Sequence, residues 1–136
     1  ILKLLASKGG VLGLSLYPHH LKNNSNCTLD SFCTMIIDLI ELIGVDHIGF
    51  GSDLCQDQPD SVVEWMRVGK WTKKIDYGEG SASNSGFPKM PSWFKGNRDW
   101  VNILNKLQEL GLKQEEIDKI KGLNWYNFLI KTKAFK

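Results

Sequence analysis

Two short apolar runs joined by one long amphipathic stretch limit this chain more than anything else in it. Val11 to Tyr17 (V-L-G-L-S-L-Y) is almost continuously apolar, the pattern of a strand covered on both faces, and Pro18 stops it. A polar loop from Lys22 to Asn26 leads to Thr28, placed as an N-cap with Asp30 and Ser31 in the first turn. Leu29, Phe32, Ile36, Ile37, Leu39, Ile40 and Ile43 then lay a broad apolar stripe along a helix that Gly44 ends. His47 to Gly51 (H-I-G-F-G) is the second strand. Strand, helix of about four turns, strand is a right-handed crossover, so the two strands are expected to lie parallel in one sheet.

The flanks are helical or irregular. Leu2, Leu4 and Leu5 form the end of a helix closed at Gly9-Gly10, where glycine takes the left-handed conformation. From Ser52 to Gly96 the periodicity loosens. Pro59 to Trp71 has room for a helix beginning at Asp60 or Ser61. Gly78 to Pro91 has no period and is too long for an ordinary connector, so it is expected to be a binding loop, a lid or a mobile segment. Asn97 is the expected cap of a helix running to Leu110, Lys113 to Lys121 a second short helix ending at Gly122, and Leu123 to Ile130 the last apolar stretch. No internal repeat is visible.

Composition narrows the class. The 136 residues suit one domain. No apolar run approaches the roughly 18–20 residues of a membrane span. Net charge is −3 over residues 1–59 and +5 over residues 60–136. The basic half interleaves Lys113, Lys119, Lys121, Lys131 and Lys133 with Glu115, Glu116 and Asp118, which is a solvated helix face and argues against a nucleic-acid partner. The five tryptophans, Trp65, Trp71, Trp93, Trp100 and Trp125, read as core and loop anchors, because no basic-aromatic alternation accompanies them. Cys27, Cys33 and Cys55 are odd in number and lack metal spacing, so they support neither a disulfide framework nor a cysteine-zinc site. Asn23-Asn24-Ser25 and Asn26-Cys27-Thr28 match a glycosylation pattern that is read as chance. The chain opens on Ile1 inside an amphipathic pattern, and its true N-terminus is expected to lie upstream.

Chemistry concentrates at Gly49-Phe50-Gly51-Ser52-Asp53. In parallel α/β folds ligands sit beyond the carboxyl ends of the strands, and Asp53 lies just past one. A carboxylate there can orient a water, ligate a metal or pass a proton. The competing reading is an aspartate that only caps a turn. A dinucleotide fingerprint is weak, because Leu54 stands where the third glycine belongs.

Gly44-Val45-Asp46-His47-Ile48-Gly49-Phe50-Gly51-Ser52-Asp53 resembles the last-strand segment of the membrane dipeptidase family, also called renal dipeptidases. Leu107 to Gly111, Glu115 to Ile120 and Gly122-Leu123-Asn124 resemble that family's closing helices, and Gly9 to Tyr17 its seventh strand. The resemblance covers the chain except about residues 56–92. It implies a (β/α)8 TIM-type barrel of which residues 1–136 are the C-terminal part, carrying the last two strands, with 56–96 as a loop or lid insertion. It also implies hydrolysis of small peptides at a two-zinc centre. The Zn2+ ligands of that family, a His-x-Asp, a bridging Glu and two later His, would all lie upstream of Ile1. The full-length form is then compatible with a homodimer.

On this resemblance Asp53 is the acid/base and the chain holds no metal ligand of its own. Leu54-Cys55-Gln56 departs from the family's usual Phe-Asp-Gly after the aspartate, which leaves Gln56 or Asp57 as substitutes for a second polar group. Asn127 stands where the family often has Arg. His47 opens its strand roughly 20 Å from Asp53, on the face of the barrel that serves stability. His19 and His20 follow the other strand on its carboxyl side. Adjacent residues on an extended segment point apart, so the two cannot easily share a metal; His20 is the candidate substrate contact, against a solvated loop histidine. The rival to the hydrolase is a non-catalytic α/β binding or interaction module in which Asp53 only caps a turn.

Overall fold

The strand-helix-strand core forms around the segment whose ends are best marked. Thr28 Oγ1 accepts the Ser31 N–H at 3.1 Å and starts helix α2, Leu29–Ile43. Gly44, at φ +86°, ends it, because a left-handed residue costs glycine nothing. Phe32, Cys33, Ile36 and Ile43 are its buried stripe. On either side lie strands β1, Leu12–Leu14, and β2, Ile48–Phe50. They pair in parallel, Leu12 with Ile48, Gly13 with Gly49 and Leu14 with Phe50.

The computed structural model describes residues 1–63 and 86–134. Trp65, Trp71, most of the expected 59–71 helix and the first part of the 78–91 stretch lie outside the described residues. Helix α1, Leu2–Ser7, precedes β1 and closes through Gly9 at φ +74°. After β2 come α3, Trp100–Glu109, α4, Gln114–Asp118, and α5, Asn124–Lys131. Leu14 and Ile48 from the sheet, with Leu16 just after β1, meet Phe32, Cys33 and Ile36 of α2, Ile103 and Leu107 of α3, and Ile117 and Ile120 in one core. Phe94 joins it fully buried, in an edge-on contact with the ring of Trp100, which itself lies 4.6 Å from that of Phe50. Lys106 of α3 pairs with Asp30 of α2 at 2.6 Å. No helix among the described residues is long and apolar enough to cross a membrane.

Several boundaries differ from the sequence reading. β1 is three residues long rather than Val11–Tyr17, because Ser15 Oγ takes the Tyr17 N–H at 3.1 Å and Pro18 opens a 3-10 turn through His20. His47 closes a 3-10 turn, Val45–His47, instead of opening the strand. Asn97 does not cap α3. It lies in a 3-10 turn, Asn97–Asp99, ahead of α3, and Asp99 Oδ2 accepts the Lys95 and Gly96 N–H groups before that turn at 2.7 and 3.1 Å, leaving α3 without a side-chain cap. Gly122, by contrast, does break the helix as expected: its backbone leaves the helical region at φ 176° and ψ −24° and kinks the Lys119–Leu123 turn ahead of α5, with Ile120 and Asn124 buried on either side.

Among the described residues the sheet has two strands, and the outer edge of each meets no further strand. Leu4, Leu123, Tyr126 and Ile130 are exposed. A two-stranded sheet with open edges is marginal alone and invites pairing with another chain. The 136-residue chain expressed by itself is therefore expected to self-associate; light scattering at micromolar concentration should give a mass above the 15.4 kDa of one copy. A monomer with a sharp two-state melt would contradict this.

Candidate functional site

Each end of β2 is held by a different kind of contact, and the two ends do different things. At its start, the buried Asn124 donates from Nδ2 to the carbonyls of Val45 and Ile48, both at 2.7 Å. Trp125 Nε1 donates to the Phe50 carbonyl at 3.0 Å. The indole lies flat over Gly13 and Gly49, and a Cβ at Gly49 would fall on it, 2.8 Å from Cδ1. The glycine at position 49 is what lets a tryptophan cover the strand. His47 Nδ1 reaches the Gly10 carbonyl at 2.9 Å, so this ring joins the residues just ahead of β1 and β2. It sits at the opposite end from Asp53.

At the carboxyl end the two chain segments stay bonded beyond the formal strands. Gly51 N–H donates to the Leu14 carbonyl at 3.0 Å and Leu16 N–H to the Ser52 carbonyl at 3.2 Å. This carries Tyr17 and Asp53 to the same place. Asp53 adopts φ +55°, a left-handed turn that aspartate tolerates far better than a β-branched residue. Its side chain is exposed and accepts no hydrogen bond and forms no ion pair among the described residues. A turn-capping aspartate would accept a nearby backbone N–H. The carboxylate instead lines a cavity of about 160 Å3 together with Tyr17, Leu54 and Cys55. Phe87, Pro88 and Met90 face them from a separate segment.

His20 is exposed at the end of the 3-10 turn. The helical backbone there replaces the extended one expected, so His19 and His20 both flank the Tyr17 ring, at centroid distances of 5.4 and 5.1 Å. His20 Nδ1 lies 3.0 Å from Ser15 Oγ. His20 does not line the cavity; it reaches it through Tyr17. Gln56 Oε1 accepts the Asn97 N–H at 3.2 Å and its amide donates to Asp57 Oδ2. Gln56 thus ties two loops together, Asp57 bonds only its neighbour, and neither is among the described residues that line the cavity. Burial pushes the Cys33 thiol up to about 12 and raises that of Cys27, so neither is a nucleophile near neutral pH. Tyr17 was the residue the sequence reading missed as a site member. Its only signal was its place at the carboxyl end of the strand paired with that of Asp53.

The sequence model of the membrane dipeptidase family (Peptidase family M19) matches residues 1–74. The chain belongs to this family. The matched stretch contains α1, both strands, α2 and Asp53. No curated protein sequence matches the chain. Among solved structures, it is similar to a crystal structure of an amidohydrolase from Pseudomonas aeruginosa, with a TM-score of 0.79 and 24% identity over 94% of this chain. The match spans 38% of that protein's chain. The fold is a portion of a (β/α)8 barrel, and its strands are two of that barrel's parallel strands. In such barrels the carboxyl ends of the strands carry the chemistry and the other face carries stability.

If Trp125 covers Gly49 as described, a methyl group at that position forces the indole off the strand. Gly49→Ala in the full-length protein should lower unfolding free energy by about 1–3 kcal/mol, the usual cost of overpacking, measured by urea denaturation. An unchanged midpoint would show that the indole is not seated there.

Proposed function

We propose that this chain is the part of a zinc-dependent dipeptidase-like hydrolase that supplies the acid/base carboxylate, Asp53. The observation that carries the reading is the position of that carboxylate. It stands beyond the carboxyl end of β2, unengaged by any described side chain or backbone group, beside Tyr17 at the mouth of a cavity. Family membership supports hydrolysis of small peptides as the reaction class.

Among the described residues no three His, Cys, Asp or Glu side chains converge to hold a metal. The described residues do not by themselves fit a zinc centre. The reading assigns the Zn2+ ligands to chain upstream of Ile1, and no step described here passes through the metal. What this chain contributes is proton transfer at one carboxylate oxygen. Asp53 takes a proton from the attacking water and returns it to the departing amine nitrogen, so that water supplies the hydroxyl to the carbonyl carbon as the C–N bond breaks. Tyr17 flanks the reacting group, and His20, steadied by Ser15, contacts the peptide beyond it. A homodimer of the full-length form belongs to the same reading.

The test is Asp53→Asn in the full-length protein, which keeps shape and hydrogen bonding and removes the base. General acid–base catalysis is typically worth about 10²–10⁴-fold, so kcat on a dipeptide panel should fall by that factor with KM little changed. Metal content should survive. His47→Gln, at the other end of the strand, should lower Tm and leave kcat near wild type. An Asp53→Asn enzyme that retains more than about a tenth of wild-type kcat would remove Asp53 from this role and favour the turn-cap module.

A further inference from the structure

The cavity beside Asp53 has two unlike sides, and the far side is built from a part of the chain with no place in the sheet. Residues 86–94 run as a strap across the loop after β2. At one end the Phe87 N–H donates to Asp60 Oδ1 at 3.2 Å. Gly86 is buried against that carboxylate so closely that a Cβ would lie 2.5 Å from Oδ2, so only glycine admits the contact. At the other end Trp93 Nε1 donates to the Cys27 carbonyl at 2.7 Å and its own carbonyl accepts from Asn102 Nδ2 at 2.9 Å. Phe94 is sealed in the core. Tied at both ends to three different elements, the strap holds Phe87, Pro88 and Met90 opposite Asp53.

We infer that this strap is the specificity wall of the site and that it receives one large apolar side chain of a dipeptide, of the size of leucine, methionine or phenylalanine. The inference rests on the dipeptidase reading for what the ligand is, and on the cavity for what it prefers. The cavity's volume of about 160 Å3 is close to the ~150 Å3 of an apolar cavity that takes a benzene ring. Apart from Asp53, none of the described residues that line it carries a charge. An acidic side chain entering there would face the Asp53 carboxylate and lose its water to an apolar wall. A glycine would leave the space unfilled. Met90 adds an unbranched side chain that can adjust to ring or branched aliphatic shapes.

The experiment uses the full-length protein and reduced-amide analogues of Phe-Gly, Gly-Phe, Gly-Asp and Gly-Gly, which bind without turnover, with affinities read by calorimetry. One of the two phenylalanine analogues should bind about tenfold or more tightly than the Gly-Gly analogue, the scale on which apolar pockets discriminate, and Gly-Asp no better than Gly-Gly. Phe87→Ala and Met90→Ser should each lower that ratio. Equal binding of the phenylalanine and Gly-Gly analogues, binding of none of them, or a ratio untouched by both variants overturns the wall assignment. Turnover of the parent dipeptides is measured alongside. A preference for phenylalanine without hydrolysis would stand for the wall and against the dipeptidase reading; hydrolysis without the preference would do the reverse.

Discussion

Parallel pairing of two three-residue strands is the constraint on which the rest depends. Leu12 with Ile48, Gly13 with Gly49 and Leu14 with Phe50 fix which residues emerge together at the carboxyl end. The bonds from Gly51 to Leu14 and from Leu16 to Ser52 extend that order by one more step. Tyr17 and Asp53 then share a cavity although they are far apart in sequence. A slip of one residue would turn Leu14 and Ile48 away from the α2 core, so the hydrophobic stripe of α2 enforces the register that places the carboxylate.

The other end of the strands explains the tail. A barrel strand needs its backbone covered, and here two neighbouring residues of α5 do it by different means. Asn124 satisfies two buried carbonyls with one amide nitrogen, and leaving either unmade would carry the full desolvation penalty of a buried polar group. Trp125 supplies area, spread over two glycines, and spends its one N–H on the Phe50 carbonyl. The ion pair from Lys119 to Asp46 at 2.7 Å lies at the same end but is exposed, and pairs of that kind contribute little. Asn124 thus secures the start of β2 and Trp125 covers the strand as far as Phe50, while Asp53 stands beyond its finish.

How much of this was legible in the sequence depended on whether a feature is local. Helix α2 could be read to the residue, since Thr28 and Gly44 are local signals that act within one turn. The strand ends could not, because a ladder stops where a partner or a side chain claims its hydrogen bonds, as Ser15 does for the Tyr17 N–H, and apolarity does not encode that. The start of α3 was misplaced at Asn97 because no side chain caps that helix, the Asp99 carboxylate reaching backward to Lys95 and Gly96 instead. The Gly-x-Asn stretch at 122–124 was recognised as a family likeness, yet the reason an asparagine is needed appears only when its two carbonyl partners are seen. The wall at Phe87 to Met90 was legible only as part of the 78–91 stretch, expected to be a binding loop, a lid or a mobile segment, and not as the particular side chains that face Asp53. Its segment has no period, and its position is set by Asp60, Cys27 and Asn102, all distant in sequence.

The most direct test of the account is a crystal structure of the full-length protein with a reduced-amide dipeptide bound. The account predicts the ligand at the carboxyl end of β2, with the nitrogen that replaces the scissile amide about 3 Å from an Asp53 carboxylate oxygen and Tyr17 alongside. A ligand seated away from Asp53, or at the opposite end of the strands near His47 and Gly10, would contradict it.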